Sequence, residues 1–155
     1  MEELHLRKAT VHDVKPIHRM LLQTADEGLL LPRALNQLYN HLRDFYVLDL
    51  NDGSGLKACC ALAITWADLA EIRSLVVSRE LRLKGWGSKL VHACMDEARA
   101  LGIHRIFTLT YQLDFFFKLN FREVSKDSLH QKVWADCIHC PKFPECDEHA
   151  MLLDL

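Results

Sequence analysis

The stretch RLKGWGSKL, Arg82 to Leu90, sets Gly85 and Gly87 two apart, between a run that reads as a strand and a run that reads as a helix. Helix N-termini leave backbone N–H groups unpaired and carry a partial positive charge. Anions bind there, and glycine lets a phosphate come close to the backbone. Arg82, Lys84 and Lys89 add cationic partners. The stretch therefore reads as a strand–loop–helix cradle for a pyrophosphate. The same glycines also suit a turn that needs positive φ or tight packing, and that reading stays open. A Walker loop needs G-x-x-x-x-G-K-[ST], and a dinucleotide fingerprint needs G-x-G-x-x-G. Neither fits, because Gly85-Trp86-Gly87 lacks the third glycine and Lys89 follows Gly87 after Ser88.

A second set of chemistry-bearing residues lies upstream. Glu71 and Arg73 interrupt the apolar run AEIRSLVV. Arg33 sits in GLLLPRAL at a helix start, where the dipole disfavours a cation. A carboxylate placed like Glu71 is a candidate general base. Two arginines, Arg33 and Arg73, could clamp the carboxylates of an acidic amino acid through paired hydrogen bonds. Strand alternation places Glu71, Arg73, Leu75 and Val77 on one face. A purely structural ion pair between Glu71 and Arg73 is the competing reading.

The elements that must carry these residues follow from periodicity. HLRKAT reads as a first strand, and Thr10 with Asp13 three residues on is close to a capping box. Helical spacing follows at Val14, Ile17, Leu21 and Leu22, and resumes in RALNQLYNHLRD at Leu35, Leu38, Tyr39 and Leu42. FYVLDL is a strand, NDGSG a hairpin turn, LKACCALAITW a second arm, and ADLAEIRSLVV a third strand ending at Val77. The helix after the glycines has apolar positions at Leu90, Val91, Cys94, Met95, Ala98 and Leu101, closed by Gly102. HRIFTLTY, QLDFFFKLN and FREVS read as strand, short helix and strand. This order predicts an α+β or mixed α/β fold with helices on both faces of a sheet.

A chain of 155 residues suits one domain with a sizeable core. A net charge of −2 argues against a nucleic-acid protein, which would show a basic face. No apolar run approaches the ~20 residues of a membrane span. MEELHLRKAT lacks the apolar stretch of a secretion signal, so the expected setting is a reducing cytoplasm. Cys59, Cys60 and Cys94 lie in apolar runs and read as buried small hydrophobes.

Arg82-Leu83-Lys84-Gly85-Trp86-Gly87 resembles the [RQ]-x-x-G-x-[GA] acetyl-CoA motif of the GNAT N-acetyltransferase superfamily. It stands after EIRSLVVS and before a helix, as in that family. RIFTLTYQLDFFFKLNF resembles the family's fifth strand and fourth helix, the latter commonly ending in FYEKLGF. The likeness runs from Leu6 to about Val124. It implies a mostly antiparallel central sheet and acetyl-CoA as co-substrate. It implies that backbone amides from Leu83 to Ser88 hold the CoA pyrophosphate. It also implies that the strand ending Leu75-Val76-Val77 splays from its neighbour and holds the pantetheine arm. The acetyl group then passes directly to an amine, and the family often places its base on the strand of Glu71. Where the family often has a tyrosine acid, this chain has Phe116, which has no proton to give. Tyr111 is near in sequence but not at that position.

GLLLPRALNQLYNHLRDF is similar to the glutamate-binding segment G-[IL]-L-x-x-R-[SA] of N-acetylglutamate synthases, and AMLLDL to their terminal strand. The likeness is greatest to the short, stand-alone bacterial synthases. It implies that Arg33 contacts a substrate carboxylate and that Lys132, in SLHQKVW, lines the same pocket. Arg73 comes from strand geometry alone.

In CIHCPKFPECDEH, Cys137, Cys140, Cys146 and His149 make half of a zinc-like pattern. A reduced, tightly turned loop over the substrate pocket is the alternative, and no metal is assigned. The resulting expectation is a single N-acetyltransferase domain over 1–155, with a core at 1–124 and a cysteine-containing tail and terminal strand at 125–155. Its expected partner is a small amine or amino acid, L-glutamate first, with no nucleic acid and no membrane; a homodimer stays open. The alternatives are another small-amine acceptor, a non-catalytic acyl-CoA sensor marked by Phe116, or an interaction module organised by the cysteine tail.

Overall fold

The computed structural model describes residues 4–26, 33–50, 55–129 and 148–155. Its elements are β1 (Leu4–Lys8), α1 (Val14–Asp26), α2 (Leu35–Asn40), β2 (Phe45–Leu50), β3 (Leu56–Trp66), β4 (Leu69–Val77), α3 (Trp86–Ala100), β5 (Arg105–Thr110), α4 (Leu113–Phe117), β6 (Arg122–Val124) and β7 (His149–Asp154). The seven strands form one sheet in the order β1-β2-β3-β4-β5-β7-β6. Only β4 and β5 pair in parallel; the other neighbours are antiparallel. The mixed, mostly antiparallel sheet expected from the sequence is the one that forms. Strand β7 inserts between β5 and β6, so the C-terminal residues complete the sheet from inside.

Alternation along β3 sorts the core into two layers. Cys60 and Leu62 face α3 and α4, together with Leu90, Val91, Cys94, Met95, Ala98 and Phe116. Cys59 and Ala61 face α1 and α2, together with Val14, Ile17, Leu21 and Leu38. Ile17 and Leu21 are fully buried, each contributing about 1.5–3 kcal/mol by leaving water. Leu22, expected in the same stripe, is exposed, because one residue is 100° round the helix. The second helix is shorter than RALNQLYNHLRD suggests, since regular helix spans only Leu35–Asn40 and a tighter turn follows at Leu42–Asp44. Cys59, Cys60 and Cys94 are buried free thiols, with Cys60 and Cys94 Sγ atoms 3.8 Å apart. No helix among the described residues is long and apolar enough to cross a membrane.

Two devices fix helix ends. At the C-terminus of α3, Gly102 takes φ 84°, its N–H bonds Arg99 O at 3.1 Å, and Ile103 N–H bonds Ala98 O at 2.8 Å. That is a Schellman closure, and Ile103 buries behind it. Ahead of α1, Thr10 N–H donates to Asp13 Oδ2 at 2.7 Å, and Asp13 N–H donates to Thr10 O at 2.9 Å. A 3-10 turn, Val11–Asp13, intervenes before the regular helix. Asp13 also receives both Arg7 guanidinium nitrogens, at 2.7 and 3.0 Å, while Arg7 Nε reaches Asp49 at 2.9 Å.

Burial alone would raise the Asp13 carboxyl, but Arg7 and the Thr10 amide outweigh it and hold it below the usual range. The folded state therefore binds fewer protons than the unfolded one below about pH 4, the ordinary aspartate value. The stabilisation is present at neutral pH and is lost as pH falls through the lowered value. Asp13→Asn should cost about 1.5–3 kcal/mol at pH 7, the range for a hydrogen bond to a charged group. Urea unfolding at pH 7 and at pH 3 checks this, and the difference between variant and wild type should shrink at pH 3.

The sheet departs from simple alternation in β4. Arg73 pairs with Ala61, and Val76 pairs with Cys59, so three steps on β4 match two on β3. Ser74 takes φ 57° at this bulge. The single face expected for Glu71, Arg73, Leu75 and Val77 is therefore corrected. Leu75 and Val77 pack with the α3 layer, whereas Val76 packs with the α1–α2 layer. The extra residue flips the side chains that follow it.

Candidate active site

The parallel pairing of β4 with β5 covers only Leu69–Glu71 against Arg105–Phe107. Thr108 Oγ1 donates to Ile72 O at 2.8 Å as a last link. Beyond it, Arg73 to Val77 have no β5 partner among the described pairings. Leu75, Val76 and Val77 lie on this stretch of β4.

The chain then turns through Arg82–Gly85 into α3. Gly85 is the N-cap, at φ 86° with open space around it, so glycine is needed there for its backbone conformation. The first helical bond runs from Lys89 N–H to Gly85 O at 3.2 Å. Amides ahead of it have no partner inside the helix and point their partial positive charge outward. Leu83 and Lys84 are exposed, and Trp86, Gly87 and Ser88 are half-buried. Arg82 Nε donates to Val77 O at 3.0 Å, tying the turn to the end of β4. Lys89 Nζ lies 4.1 Å over the Trp86 ring.

Gly87 has a different reason from Gly85. A Cβ there would meet the Phe115 ring at 3.3 Å and Val77 Cγ2 at 3.5 Å. A side chain there would sit tightly against the packing of α4 on α3, whatever else approaches the loop. Gly87→Val should therefore lower stability together with cofactor binding, and it does not isolate the cradle. Lys84→Gln leaves that packing intact. It should weaken acetyl-CoA binding about two- to fivefold, the size of an exposed charge contact, with Tm unchanged. Calorimetric titration at low and high salt checks it, and unchanged affinity at low salt counts against the cradle.

On the α1–α2 face, Glu71 Oε1 receives both Nε and Nη2 of Arg73, at 3.1 and 2.5 Å. The ion pair weighed against a catalytic role is thus formed, and it engages one oxygen only; Oε2 has no hydrogen bond among the described residues. Arg33 lies nearby. Its Nη1 donates to Ser74 Oγ at 3.3 Å, and its guanidinium sits 5.6 Å over the Phe45 ring. Burial, then repulsion from Arg73, pushes the Arg33 guanidinium down, against the attraction of Glu71 and Asp44. Burial likewise pushes the Asp44 carboxyl up. The structure thus brings Arg33, Glu71 and Arg73 together. Lys132, Cys137, Cys140 and Cys146 lie outside the described residues. His149 is on β7 with Nδ1 2.8 Å from Glu123 Oε2.

Phe116 is buried, its ring edge-on to Phe115 and Phe121 at 5.0 and 5.1 Å between centroids. It is a core residue with no proton to supply. Ser74 is the site residue that sequence reasoning missed. Serine does not mark positive φ as glycine does, so the bulge left no local signal.

The acetyltransferase (GNAT) family matches residues 12–121. An uncharacterized N-acetyltransferase of Chlorobaculum tepidum is 38% identical over 97% of this chain and 96% of its own length. The amino-acid acetyltransferase of Mycobacterium tuberculosis is 33% identical over 84% of this chain and 75% of its own. Among solved structures, N-acetylglutamate synthase from Neisseria gonorrhoeae, complexed with coenzyme A and N-acetyl-glutamate, superposes with a TM-score of 0.84 at 28% identity, covering 99% of this chain and 35% of that one. The chain belongs to the GNAT acetyltransferase family, and it is an N-acetyltransferase whose co-substrate is acetyl-CoA.

Proposed function

We propose that the protein acetylates the α-amino group of L-glutamate, the first committed step toward arginine. The observation that carries the reading is Arg33, a half-buried guanidinium with no ion-pair partner among the described residues, beside a carboxylate with one free oxygen. A half-buried cation without an ion-pair partner among the described residues is costly, and an acceptor carboxylate reduces that cost. The names of the Mycobacterium and Neisseria relatives support the same acceptor class.

In this reading, amides from Leu83 to Ser88, with Arg82 and Lys84, hold the CoA pyrophosphate. The backbone of Leu75-Val76-Val77 holds the pantetheine arm where β4 no longer pairs with β5. Arg33 and Lys132 hold acceptor carboxylates. Glu71 Oε2 takes a proton from the acceptor ammonium, directly or through water, and frees the nitrogen lone pair. The new C–N bond forms as the C–S bond breaks, and CoA leaves as thiolate without a side-chain acid at Phe116; the second nitrogen proton passes to that thiolate, directly or through water. Arg73 serves the acceptor through Glu71, because its guanidinium is already committed there. Free Cys59, Cys60 and Cys94 suit a reducing cytoplasm.

Free-thiol release from acetyl-CoA with glutamate, glutamine, aspartate and lysine tests the proposal. Glutamate should give the highest kcat/KM. Equal rates with glutamate and lysine would overturn the acceptor and leave the acetyltransferase standing.

A further inference from the structure

We propose that Ser74 is a positioning residue that ties the acceptor-binding Arg33 to the bulge of the cofactor strand. The inference rests on Arg33 being the acceptor's carboxylate ligand. Three described non-glycine residues have positive φ: Ser74, Leu83 and Asn120. Leu83 and Asn120 lie in turns, whereas Ser74 lies inside β4. That conformation is unfavourable for a residue with a Cβ, and it persists where the surroundings hold it.

Two contacts hold Ser74. Its Oγ accepts from Arg33 Nη1 at 3.3 Å, and its carbonyl accepts from the Cys59 thiol at 3.3 Å. Cys59 is fully buried on the neighbouring strand, and burial pushes its thiol up to about 12, so it stays a donor at neutral pH. The left-handed turn also changes where side chains go. Arg73 reaches Glu71 and Ser74 reaches Arg33, so two consecutive residues serve the same face of the sheet. Regular alternation would have sent Ser74 to the α3 side. The extra residue in β4 therefore delivers the hydroxyl that orients Arg33. A positioned guanidinium in turn fixes the acceptor carboxylate relative to the acetyl group, the geometry on which direct transfer depends.

The test uses Ser74→Gly, Ser74→Ala and Ser74→Asn in the full chain. Glycine keeps φ 57° without strain and removes the hydroxyl together with its Cβ, whereas alanine removes only the hydroxyl and keeps the strain. Asparagine tolerates the same conformation and offers an acceptor oxygen. Ser74→Gly should keep wild-type Tm or exceed it, and should raise KM for the acceptor about tenfold, the low end for a hydrogen bond donated by a charged group. Its Kd for acetyl-CoA should match wild type, and Ser74→Asn should recover part of the loss. In a double-mutant cycle, adding Ser74→Gly to Arg33→Ala should cost nothing further, because the hydroxyl acts through Arg33. Additive losses, or a Ser74→Gly enzyme with wild-type acceptor KM, would overturn the tie. The cycle can also be read on urea unfolding without any acceptor. A wrong acceptor assignment would thus show in the wild-type substrate panel, and a wrong tie in the cycle.

Discussion

Glu71→Gln should lower kcat by about 10²-fold or more at pH 7, within the usual range for general base catalysis. The amide keeps the shape of the side chain and can still accept from Arg73 through its carbonyl oxygen. It cannot take a proton from the acceptor ammonium. The loss should shrink as pH rises, because solution then supplies the free amine that Glu71 otherwise makes. A purely structural ion pair predicts another pattern: a drop in Tm, a kcat loss that tracks the fraction folded, and no dependence on pH in the amine range. Measuring kcat from pH 6.5 to pH 9.5, with Tm at each point, separates the two. A variant with wild-type kcat at pH 7 moves the role to water or to another residue.

Arg33→Ala should reduce kcat/KM for glutamate about 10- to 150-fold, the equivalent of a charge-assisted hydrogen bond worth about 1.5–3 kcal/mol. Two effects act in opposite directions on the folded protein. The substitution removes the stacking of Arg33 over Phe45, which costs stability. It also removes a half-buried cation facing Arg73, which relieves repulsion. Tm should therefore change little while acceptor kinetics change much. Acetyl-CoA affinity should stay the same, because Arg33 lies in a different segment from the Arg82–Ser88 turn. Arg33→Lys should recover little, since an ammonium cannot present the paired donors of a guanidinium. Steady-state kinetics with glutamate and calorimetry with acetyl-CoA check both halves of this expectation. An Arg33→Ala enzyme with unchanged kcat/KM would remove Arg33 from the acceptor site.

Much of this arrangement is legible in the chain because it is local. FYVLDL and LKACCALAITW carry β-strand composition over the residues that form β2 and β3, and Leu90 to Ala98 carries the helical stripe that α3 buries. Gly102 marks its helix end because positive φ favours glycine there. What the sequence hid is non-local. The bulge at Ser74 depends on pairing between β3 and β4, and it inverted the expected placement of Leu75 and Val77. The insertion of β7 between β5 and β6 leaves no periodic trace, because strand order is set by which edges meet. The sequence leaves Gly87 open between phosphate approach and tight packing, and that its near neighbours are Phe115 and Val77 is visible only in the tertiary structure. Glu71 and Arg73 were each legible as charges in an apolar run. Their ion pair takes one carboxylate oxygen and leaves the other, a division visible only in three dimensions.

The acetyltransferase should act on the α-amino group of glutamate. The most direct measurement is NMR of the product formed from acetyl-CoA and 15N-labelled L-glutamate, with CoA thiol followed in the same tube. N-acetylglutamate should be the product, with one thiol released per acetyl group transferred and both suppressed by Glu71→Gln. Thiol released without acetylated glutamate, or the same yield of product from Glu71→Gln as from wild type at pH 7, would contradict it.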